Sequence, residues 1–321
     1  MKALITGISG LLGSRVARDA YEAGYEIVGV SRNISNLKFE FPVKTKIQDL
    51  TDDTLRDDLL AGIDIVIHCA ADTHMGSFHN PNQNLLNTKS VKNLIDSSIK
   101  FNVKRFILVS SANTCIPGVK NRPGTEENKL EVSSANLNYI NSKIKAERIV
   151  LSAFQNNKLD VIIINPTFIL NPLIDNQSSN KLLDYCLRNS ILFYPRGGKN
   201  VVDARDVSKA IIATINNGEV GGNYILSNKN YTYKEFFKLV LKEQKRRAIL
   251  IPLPASLLLL FGGILTMIEY VTRTPINFNL NSAKLLNSNH YYDYSKAAKH
   301  LKFKPRDIHD TIKTKLDNAE L

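Results

Sequence analysis

The sequence predicts an α/β fold: a doubly wound parallel sheet with a smaller, interleaved C-terminal lobe. Three observations predict this fold. Short apolar, β-rich runs alternate with helical patterns through the first half of the 321-residue chain. Runs such as 65–69 and 161–164 are apolar on both faces, as the central strands of a covered parallel sheet must be. A glycine-rich turn lies between the first strand and the first helix. Together these observations indicate a Rossmann-type sheet.

The elements of the sheet are predicted in order along the chain. The predicted strands are Lys2–Thr6, Glu26–Ser31, Val43–Gln48, Asp64–Cys69, Arg105–Ser110 and Asp160–Asn165. The predicted helices between them are Leu11–Ala23, Asp53–Ala61, Asn84–Lys100 and Asn138–Gln155. After Pro166 the pattern changes to loops rich in Asn, Pro and Gly with shorter elements, and β-α-β character returns briefly. The predicted domains are therefore 1–166 with 200–227 for the sheet, and 167–199 with 228–321 for the substrate lobe.

Composition narrows the classes of protein. Hydrophobic residues make up 43% and charged residues 22%, which is typical of a soluble globular chain and excludes a disordered one. The net charge is +12, but the lysines are spread along the chain, so we expect no nucleic-acid partner. Three scattered cysteines cannot build a disulfide framework or a zinc cluster, so we expect no metal. With no signal-peptide pattern at the N-terminus, a cytoplasmic location is expected.

The glycine-rich turn, Gly7-x-x-Gly10-x-x-Gly13, is the first candidate site. A phosphate group must approach backbone N–H groups at a helix N-terminus, and side chains would block that approach. Glycine at the third position also lets the helix pack close to the strand. The spacing is one residue longer than the common dinucleotide fingerprint. We interpret the turn, including Leu11 and Leu12, as a dinucleotide-binding site.

The end of the second strand predicts which dinucleotide binds. An NAD site usually has an acidic residue here to accept a hydrogen bond from the adenosine ribose. This chain has Ser31 and then Arg32. A guanidinium can hold a 2′-phosphate through paired N–H donors. The sequence therefore predicts NADP(H) as the cofactor.

Tyr139 and Lys143 are the candidate proton-handling residues. Their spacing of four places both on one face of a helix. A free phenol is a poor base at neutral pH, since its pKa is about 10. A nearby ammonium favours the phenolate, so we expect Lys143 to lower the pKa of Tyr139. Ser111, at the end of the fifth strand, can orient a substrate carbonyl by a hydrogen bond.

In this order the motifs resemble the extended short-chain dehydrogenase/reductase superfamily, also described as the NAD-dependent epimerase/dehydratase family, over nearly the whole chain. The matching pieces are Gly7…Gly10…Gly13, Asp49-Leu50, His68-Cys69-Ala70-Ala71, Asn84…Thr88, Ser110-Ser111, Tyr139…Lys143…Glu147, Asn165-Pro166 and Val202-Asp203…Asp206-Val207. Residues 30–32, 222–226 and 292–297 are most similar to the dihydroflavonol reductase and 3β-hydroxysteroid dehydrogenase branch.

The resemblance implies roles for these residues. It implies that Tyr139 protonates a carbonyl as hydride arrives from the nicotinamide, that Lys143 holds the nicotinamide ribose, and that Ser111 polarises the carbonyl. The remaining residues that it assigns to the cofactor site are Asp49 and Leu50 at the adenine, Ala70 and Ala71 along the ribose-pyrophosphate path, Ser110, Asn84 as a support for its helix, and Pro166 and Thr167 beside the carboxamide. Such enzymes are monomers or homodimers.

The apolar run 249–271 has two interpretations. Two prolines, two glycines and Glu269 interrupt it, and its uninterrupted part is too short to span a bilayer. It therefore forms a helix that lines an apolar substrate pocket or is buried in the lobe, or it makes peripheral contact with a membrane surface, helped by the basic cluster at 242–247.

The favoured hypothesis is an NADP(H)-dependent oxidoreductase that transfers hydride between the nicotinamide and a ketone or secondary alcohol of an apolar small molecule. One alternative is a nucleotide-sugar epimerase or dehydratase with tightly bound NAD. Another is a non-catalytic dinucleotide-binding sensor or assembly subunit, although such relatives typically lose the Tyr-Lys pair that is present here.

Overall fold

A parallel sheet forms the centre of the computed structural model, which describes residues 1–33, 38–56, 58–73, 81–132, 137–173, 181–274, 276 and 278–319. Within those residues the sheet has seven strands, and its predicted fold class is confirmed. From one edge to the other the strands are β10 (Asn223–Leu226), β6 (Asp160–Pro166), β5 (Arg105–Val109), β4 (Ile65–His68), β1 (Lys2–Thr6), β2 (Glu26–Ser31) and β3 (Lys44–Ile47).

Helices cover both faces of this sheet. Helices α1 (Gly13–Glu22), α5 (Ala204–Asn217) and α9 (Ser295–Leu301) pack together on one face. Helices α2 (Pro81–Lys100) and α3 (Asn138–Gln155) pack together on the other. Neighbouring strand residues alternate between the two cores, as the period of a strand requires: Ala3 joins one core and Leu4 the other.

The order of the strands positions the site. From β1 the chain moves outward through β2 and β3, then crosses to the other side of β1 and continues through β4, β5 and β6. The direction of winding therefore reverses between β1 and β4. In open α/β sheets a ligand binds at such a point, beyond the carboxyl ends of the strands.

The second lobe is built from shorter elements. A four-stranded sheet contains β7 (Phe168–Leu170), β9 (Gly198–Asp203), β11 (Lys229–Thr232) and β13 (Asn289–His290), and β8 (Ile191–Tyr194) pairs with β12 (Ile249–Pro252). The helices here are α4 (Lys181–Arg188), α6 (Tyr233–Glu243), α7 (Ala255–Thr272), α8 (Leu280–Asn287) and α10 (Ile308–Ala319). Within the segment 200–227, β10 joins the parallel sheet and α5 packs on α1, whereas β9 lies in the second sheet.

One predicted helix, Asp53–Ala61, is wrong: the described residues of this segment form turns and bends. Gln48 competes with a helix there, since its amide nitrogen donates to the Asp52 carboxylate at 2.6 Å and its oxygen accepts from the Arg56 backbone at 3.4 Å. Such local side-chain hydrogen bonds offer the backbone an alternative to the helical ladder.

Candidate active site

The glycine-rich turn packs so tightly that side chains have no room. Gly7 has a φ of +65°, and a Cβ there would lie 2.8 Å from the Ala70 backbone. A Cβ on Gly13 would lie 2.1 Å from the Gly7 carbonyl oxygen. The Gly10 N–H donates to that oxygen at 2.8 Å, and α1 then begins at Gly13 with no side-chain cap. Uncapped N–H groups beside a cradle without side chains fit the pyrophosphate of a dinucleotide.

The end of β4 is tied to this turn through Thr6. The Thr6 hydroxyl lies 2.8 Å from His68 Nδ1 and accepts from the Ala70 N–H at 3.1 Å. His68 is buried, and burial, with a smaller contribution from the Lys143 ammonium, lowers its pKa to about 3. His68 is therefore a neutral core residue that holds the path of Ala70.

A cleft of about 570 Å³ lies at the end of β2, where the resemblance predicts the adenosine of the dinucleotide. Its lining residues are Arg32, Asp49, Thr51, Ala71, Asp72, Thr73, Leu85 and Leu86. Hydrogen bonds from the Thr51 backbone and hydroxyl, at 2.9 and 2.7 Å, lower the pKa of Asp49, so its carboxylate is charged at neutral pH. The Leu50 side chain packs in the core with Val28, and Asp49 of the pair lines the cleft, while the contact of both residues with the adenine stays a prediction.

The three predicted catalytic residues come together at the carboxyl end of β5. Tyr139 and Lys143 lie one turn apart on α3, and both are buried. Ser111 follows β5 and caps a short 3₁₀ turn over residues 112–114, where its hydroxyl accepts from the Asn113 N–H at 3.2 Å and lies close enough to Tyr139 to act on its phenol. The Lys143 ammonium donates to the Val109 carbonyl at 2.9 Å. Val109 follows Leu108, which is in register with His68 of β4 and through it with Thr6 of β1, so the three residues lie at the same edge of the sheet as the glycine turn.

Burial governs the protonation of this group. It raises the pKa of Tyr139, and the hydrogen bond from Ser111 opposes that shift only in part. The pKa of Tyr139 is therefore raised, not lowered as expected from its neighbour Lys143, because burial removes water from the phenolate and disfavours it. Burial also lowers the pKa of Lys143 to about 8, against the opposing charge of Glu147. At neutral pH Tyr139 is thus a protonated phenol, ready to donate.

A buried carboxylate that the sequence analysis did not single out as a site residue supports this group. Glu147 Oε1 accepts hydrogen bonds from Ser110 (2.6 Å), Thr114 (2.8 Å) and Asn165 (2.7 Å), and Oε2 pairs with Lys129 at 2.8 Å. Asn165 also donates to the Ser111 carbonyl at 2.8 Å. The network therefore fixes the backbone that carries Ser111. The sequence signals for it are the place of Glu147 in the Tyr139…Lys143…Glu147 pattern and its spacing of four from Lys143.

The support predicted for Asn84 is provided by its neighbour one helical turn later. Asn87 exchanges hydrogen bonds with the Asp72 backbone, at 2.8 and 2.9 Å, and donates to the Ser142 hydroxyl at 2.9 Å. It joins α2 to the catalytic helix. The Asn84 side-chain oxygen is buried and has no hydrogen-bond partner within the described residues. Its contact with a cofactor stays a prediction.

The second lobe closes the site after β6. Pro166 is buried, and the Thr167 hydroxyl donates to the Asn200 side chain at 2.7 Å, which ties β6 to β9. The Asn171 amide donates to the Leu11 carbonyl at 3.3 Å, so this lobe touches the glycine turn directly. Among the described residues, no group of three His, Cys, Asp or Glu side chains could hold a metal ion.

Comparisons with known proteins agree with this geometry. A family model described as the NAD dependent epimerase/dehydratase family matches residues 3–227. A putative dihydroflavonol 4-reductase of Synechocystis is 25% identical over 313 residues, covering 92% of this chain and 88% of that protein. A decarboxylating sterol-4-alpha-carboxylate 3-dehydrogenase of Dictyostelium discoideum is 26% identical over 246 residues, which are 73% of each chain. The crystal structure of gox2253 has the same fold, with a TM-score of 0.83, 23% identity, and coverage of 98% and 96% of the two chains.

The family model spans the glycine turn, the Ser111 strand and the Tyr139–Lys143 helix, so the matched region contains the residues that build the site. The predicted class of cofactor, a nicotinamide dinucleotide, is the one that the family uses. The chain therefore belongs to the NAD-dependent epimerase/dehydratase family, as its motifs predict.

Proposed function

We propose that this protein is an NADP(H)-dependent reductase or dehydrogenase acting on a ketone or secondary alcohol of an apolar small molecule. The observation that carries the proposal is the meeting of three side chains at the carboxyl end of β5: Tyr139 lies beside the Ser111 hydroxyl, and Lys143 on the same helix donates to the Val109 carbonyl. The curated relatives support the reaction type, since one is described as a reductase and the other as a sterol dehydrogenase.

Arg32 supports the preference for NADP(H). It lines the adenosine cleft, it is exposed, and it forms no hydrogen bond or ion pair within the described part of the chain. Its guanidinium is therefore available to an incoming phosphate, whereas a carboxylate at the end of β2 would repel one. The residue in the place of such a carboxylate is Ser31, whose hydroxyl donates to the Asn33 carbonyl at 2.8 Å.

Proton transfer follows from the protonation states. When bound, the nicotinamide supplies or accepts the hydride. In the reductive direction the Ser111 hydroxyl donates a hydrogen bond to the substrate carbonyl, and the Tyr139 phenol gives its proton to the same oxygen. Tyr139 is suited to this role because burial keeps it protonated at neutral pH. Lys143, charged below a pKa of about 8, stabilises the phenolate that remains until solvent returns a proton.

The surroundings of Tyr139 support an apolar substrate. Its ring packs with Leu137, Ile140 and Ile144, and Leu285 of α8 closes over this cluster from the second lobe. Apolar walls around a few convergent polar groups are usual for the site of an apolar small molecule.

The proposal is tested with a panel of carbonyl compounds, by following NADPH oxidation at about 340 nm. The variant Tyr139→Phe should lower kcat by about 10²- to 10⁴-fold and leave NADPH affinity nearly unchanged, since it removes only the proton donor. Turnover that survives in this variant would refute the mechanism. A purified protein that carries bound NAD and turns over a nucleotide sugar without added cofactor would favour the epimerase alternative.

The dinucleotide preference is tested separately. Arg32→Ser should weaken NADPH binding about 10- to 100-fold, the worth of a charge-assisted hydrogen bond, and change NADH binding little. Arg122→Ser, an exposed arginine that does not line the cleft, serves as the matched control. Tighter binding of NADH than of NADPH by the unaltered protein would contradict this part of the proposal.

A further inference from the structure

Helix α7 presents an apolar stripe to solvent. Side chains at spacings of three and four are 50–70% exposed along one face, and no charged residue interrupts them: Leu257, Leu260, Phe261, Ile264, Met267 and Val271. At 1.5 Å per residue the 18 residues of the helix are about 27 Å long. A contiguous exposed apolar surface of this extent marks an interaction site on a protein surface.

The opposite face of α7 is fastened to the protein. A Cβ on Gly262 would lie 2.9 Å from the Ala283 Cβ of α8, so the two helices are in close contact. The Leu280 N–H donates to the Thr266 hydroxyl at 2.9 Å, and Glu269 is buried on the same side. By length and composition α7 could cross a membrane, but only one of its faces is free. The chain enters from β12 and leaves into α8, both packed on the lobe, so the helix is placed to lie on a surface.

The charges around the stripe indicate which surface this is. Arg273 follows the last turn of α7, Lys284 is exposed on α8, and Lys242, Lys245 and Arg247 are exposed just before β12. The one acidic residue of α7, Glu269, is buried. Tyr270, 75% exposed at the same end, has an apolar ring and a polar tip that suit a headgroup region. A second copy of the chain would set these basic flanks against one another, whereas anionic lipids would attract them.

We propose that the stripe on α7 docks this protein on the surface of a bilayer that contains anionic phospholipids. The apolar side chains would enter the boundary between headgroups and acyl chains, with the basic flanks on the lipid phosphates. The proposal goes beyond the proposed function and does not depend on it. Where both hold, the docked helix lies next to α8, whose Leu285 packs on the Tyr139 cluster.

The absence of tryptophan from this chain allows a direct test. In Ile264→Trp the only indole reports from the middle of the stripe. In the control Ile47→Trp it reports from β3 at the far edge of the parallel sheet, where Ile47 is 55% exposed. Vesicles of equal parts phosphatidylcholine and phosphatidylglycerol should shift the emission of the first protein to shorter wavelength, and brominated lipid should quench it. The control should show neither change.

Two further variants test the two components of binding. Leu260→Glu combined with Ile264→Glu should abolish co-sedimentation with these vesicles while leaving the thermal midpoint unchanged, because both side chains are exposed. Arg273→Gln should weaken vesicle affinity about fivefold, the worth of one basic residue near an anionic surface. The proposal is overturned if the unaltered protein does not sediment with the vesicles or if the double variant binds as well. It is also overturned if the unaltered protein is a dimer in solution that the double variant dissociates, since a second copy then covers the stripe.

Discussion

Replacing Glu147 by Gln tests whether the buried network positions the catalytic residues. The amide oxygen can still accept the three hydrogen bonds that Oε1 accepts now, so Ser110, Thr114 and Asn165 keep an acceptor. The charge is lost, and the amide nitrogen then faces the Lys129 ammonium, donor against donor. The substitution therefore isolates the ion pair and its charge from the shape of the side chain.

The magnitude follows from the exposure of the two partners. The Glu147 side chain is 7% exposed and that of Lys129 is 32% exposed, so lysine can turn to water while the amide cannot. A charge-assisted hydrogen bond is worth about 1.5–3 kcal/mol, and screening at Lys129 places the loss at about 2 kcal/mol. An unfolding entropy of about 2.1 cal/mol/K per residue gives about 0.7 kcal/mol/K for this chain. The thermal midpoint should therefore fall by about 3 °C.

Two functional measurements separate positioning from stability. The kcat should fall while the KM for NADPH changes little, because the network holds Ser111 through Asn165 and does not line the cofactor cleft. The pH dependence of NADPH binding should also shift. Below its pKa of about 8 Lys143 is charged and can hold the ribose, and this contribution is lost as pH rises through that value. Since the Glu147 charge raises the pKa of Lys143, its removal should move the loss to lower pH.

Glu22→Gln, on the exposed side of α1, is the matched control and should change the free energy of unfolding by less than about 0.5 kcal/mol. If Glu147→Gln has the same thermal midpoint, kcat and pH dependence of NADPH binding as this control, the network does not position the site. If only the thermal midpoint falls, with kcat and the pH profile unchanged, Glu147 is structural and the positioning argument fails.

Three other predictions follow from the packing. Gly13→Ala should lower the free energy of unfolding by about 1–3 kcal/mol and weaken dinucleotide binding. Gly263→Ala, with open space around it inside α7, should instead raise the free energy of unfolding by about 0.5–1 kcal/mol. Calorimetry that ranks the two variants in the reverse order would contradict the geometry of the turn. Asp206→Asn should lower stability by about 2–3 kcal/mol in urea unfolding, because it disrupts three hydrogen bonds from Arg306, and an unchanged midpoint would contradict this. Cys115 and Cys186 are buried, and burial raises the pKa of both thiols, whereas Cys69 is half-buried. At pH 8 Ellman's reagent should therefore modify at most Cys69 in the native protein and all three thiols in guanidinium. Two reactive thiols in the native protein would contradict the burial.

The parts of the site that the sequence predicts are those set by local patterns. The spacing of Tyr139 and Lys143 places both on one side of a helix in any context, and α3 has the predicted bounds. The glycine turn is recognisable because its steric requirement is local: Gly13 must pack on Gly7, six residues before it. Six of the seven strands of the parallel sheet, all except β10, are predicted to within one residue at each end. Five of them are buried on both faces and therefore largely apolar, whereas β3 is mostly exposed.

The parts that the sequence does not predict depend on contacts between distant segments. Lys129 lies 18 residues before Glu147 and Asn165 lies 18 residues after it, so nothing in the local pattern shows that all three meet. Asn84 and Asn87 are both asparagines one turn apart on α2, so the sequence does not distinguish them. The position of Ser142 on α3 decides that Asn87 is the one that links α2 to α3. The helix predicted at Asp53–Ala61 is absent for a similar reason. The hydrogen bonds of Gln48, which precedes this segment, compete with the helix, and the helical pattern does not include them.

The local contacts and the contacts between distant segments contribute different parts of the site. The Ser111, Tyr139 and Lys143 side chains and the Glu147 network that supports them all come from the sheet domain, and their protonation is set by burial there. The apolar cover over Tyr139 comes from α8, far along the chain, through Leu285. Under the proposed function, changes in α8 should therefore alter the surroundings of Tyr139 without replacing the groups that move the proton. The motifs predict the residues proposed to transfer the proton, whereas the packing of Leu285 on their cluster joins distant segments and has no motif.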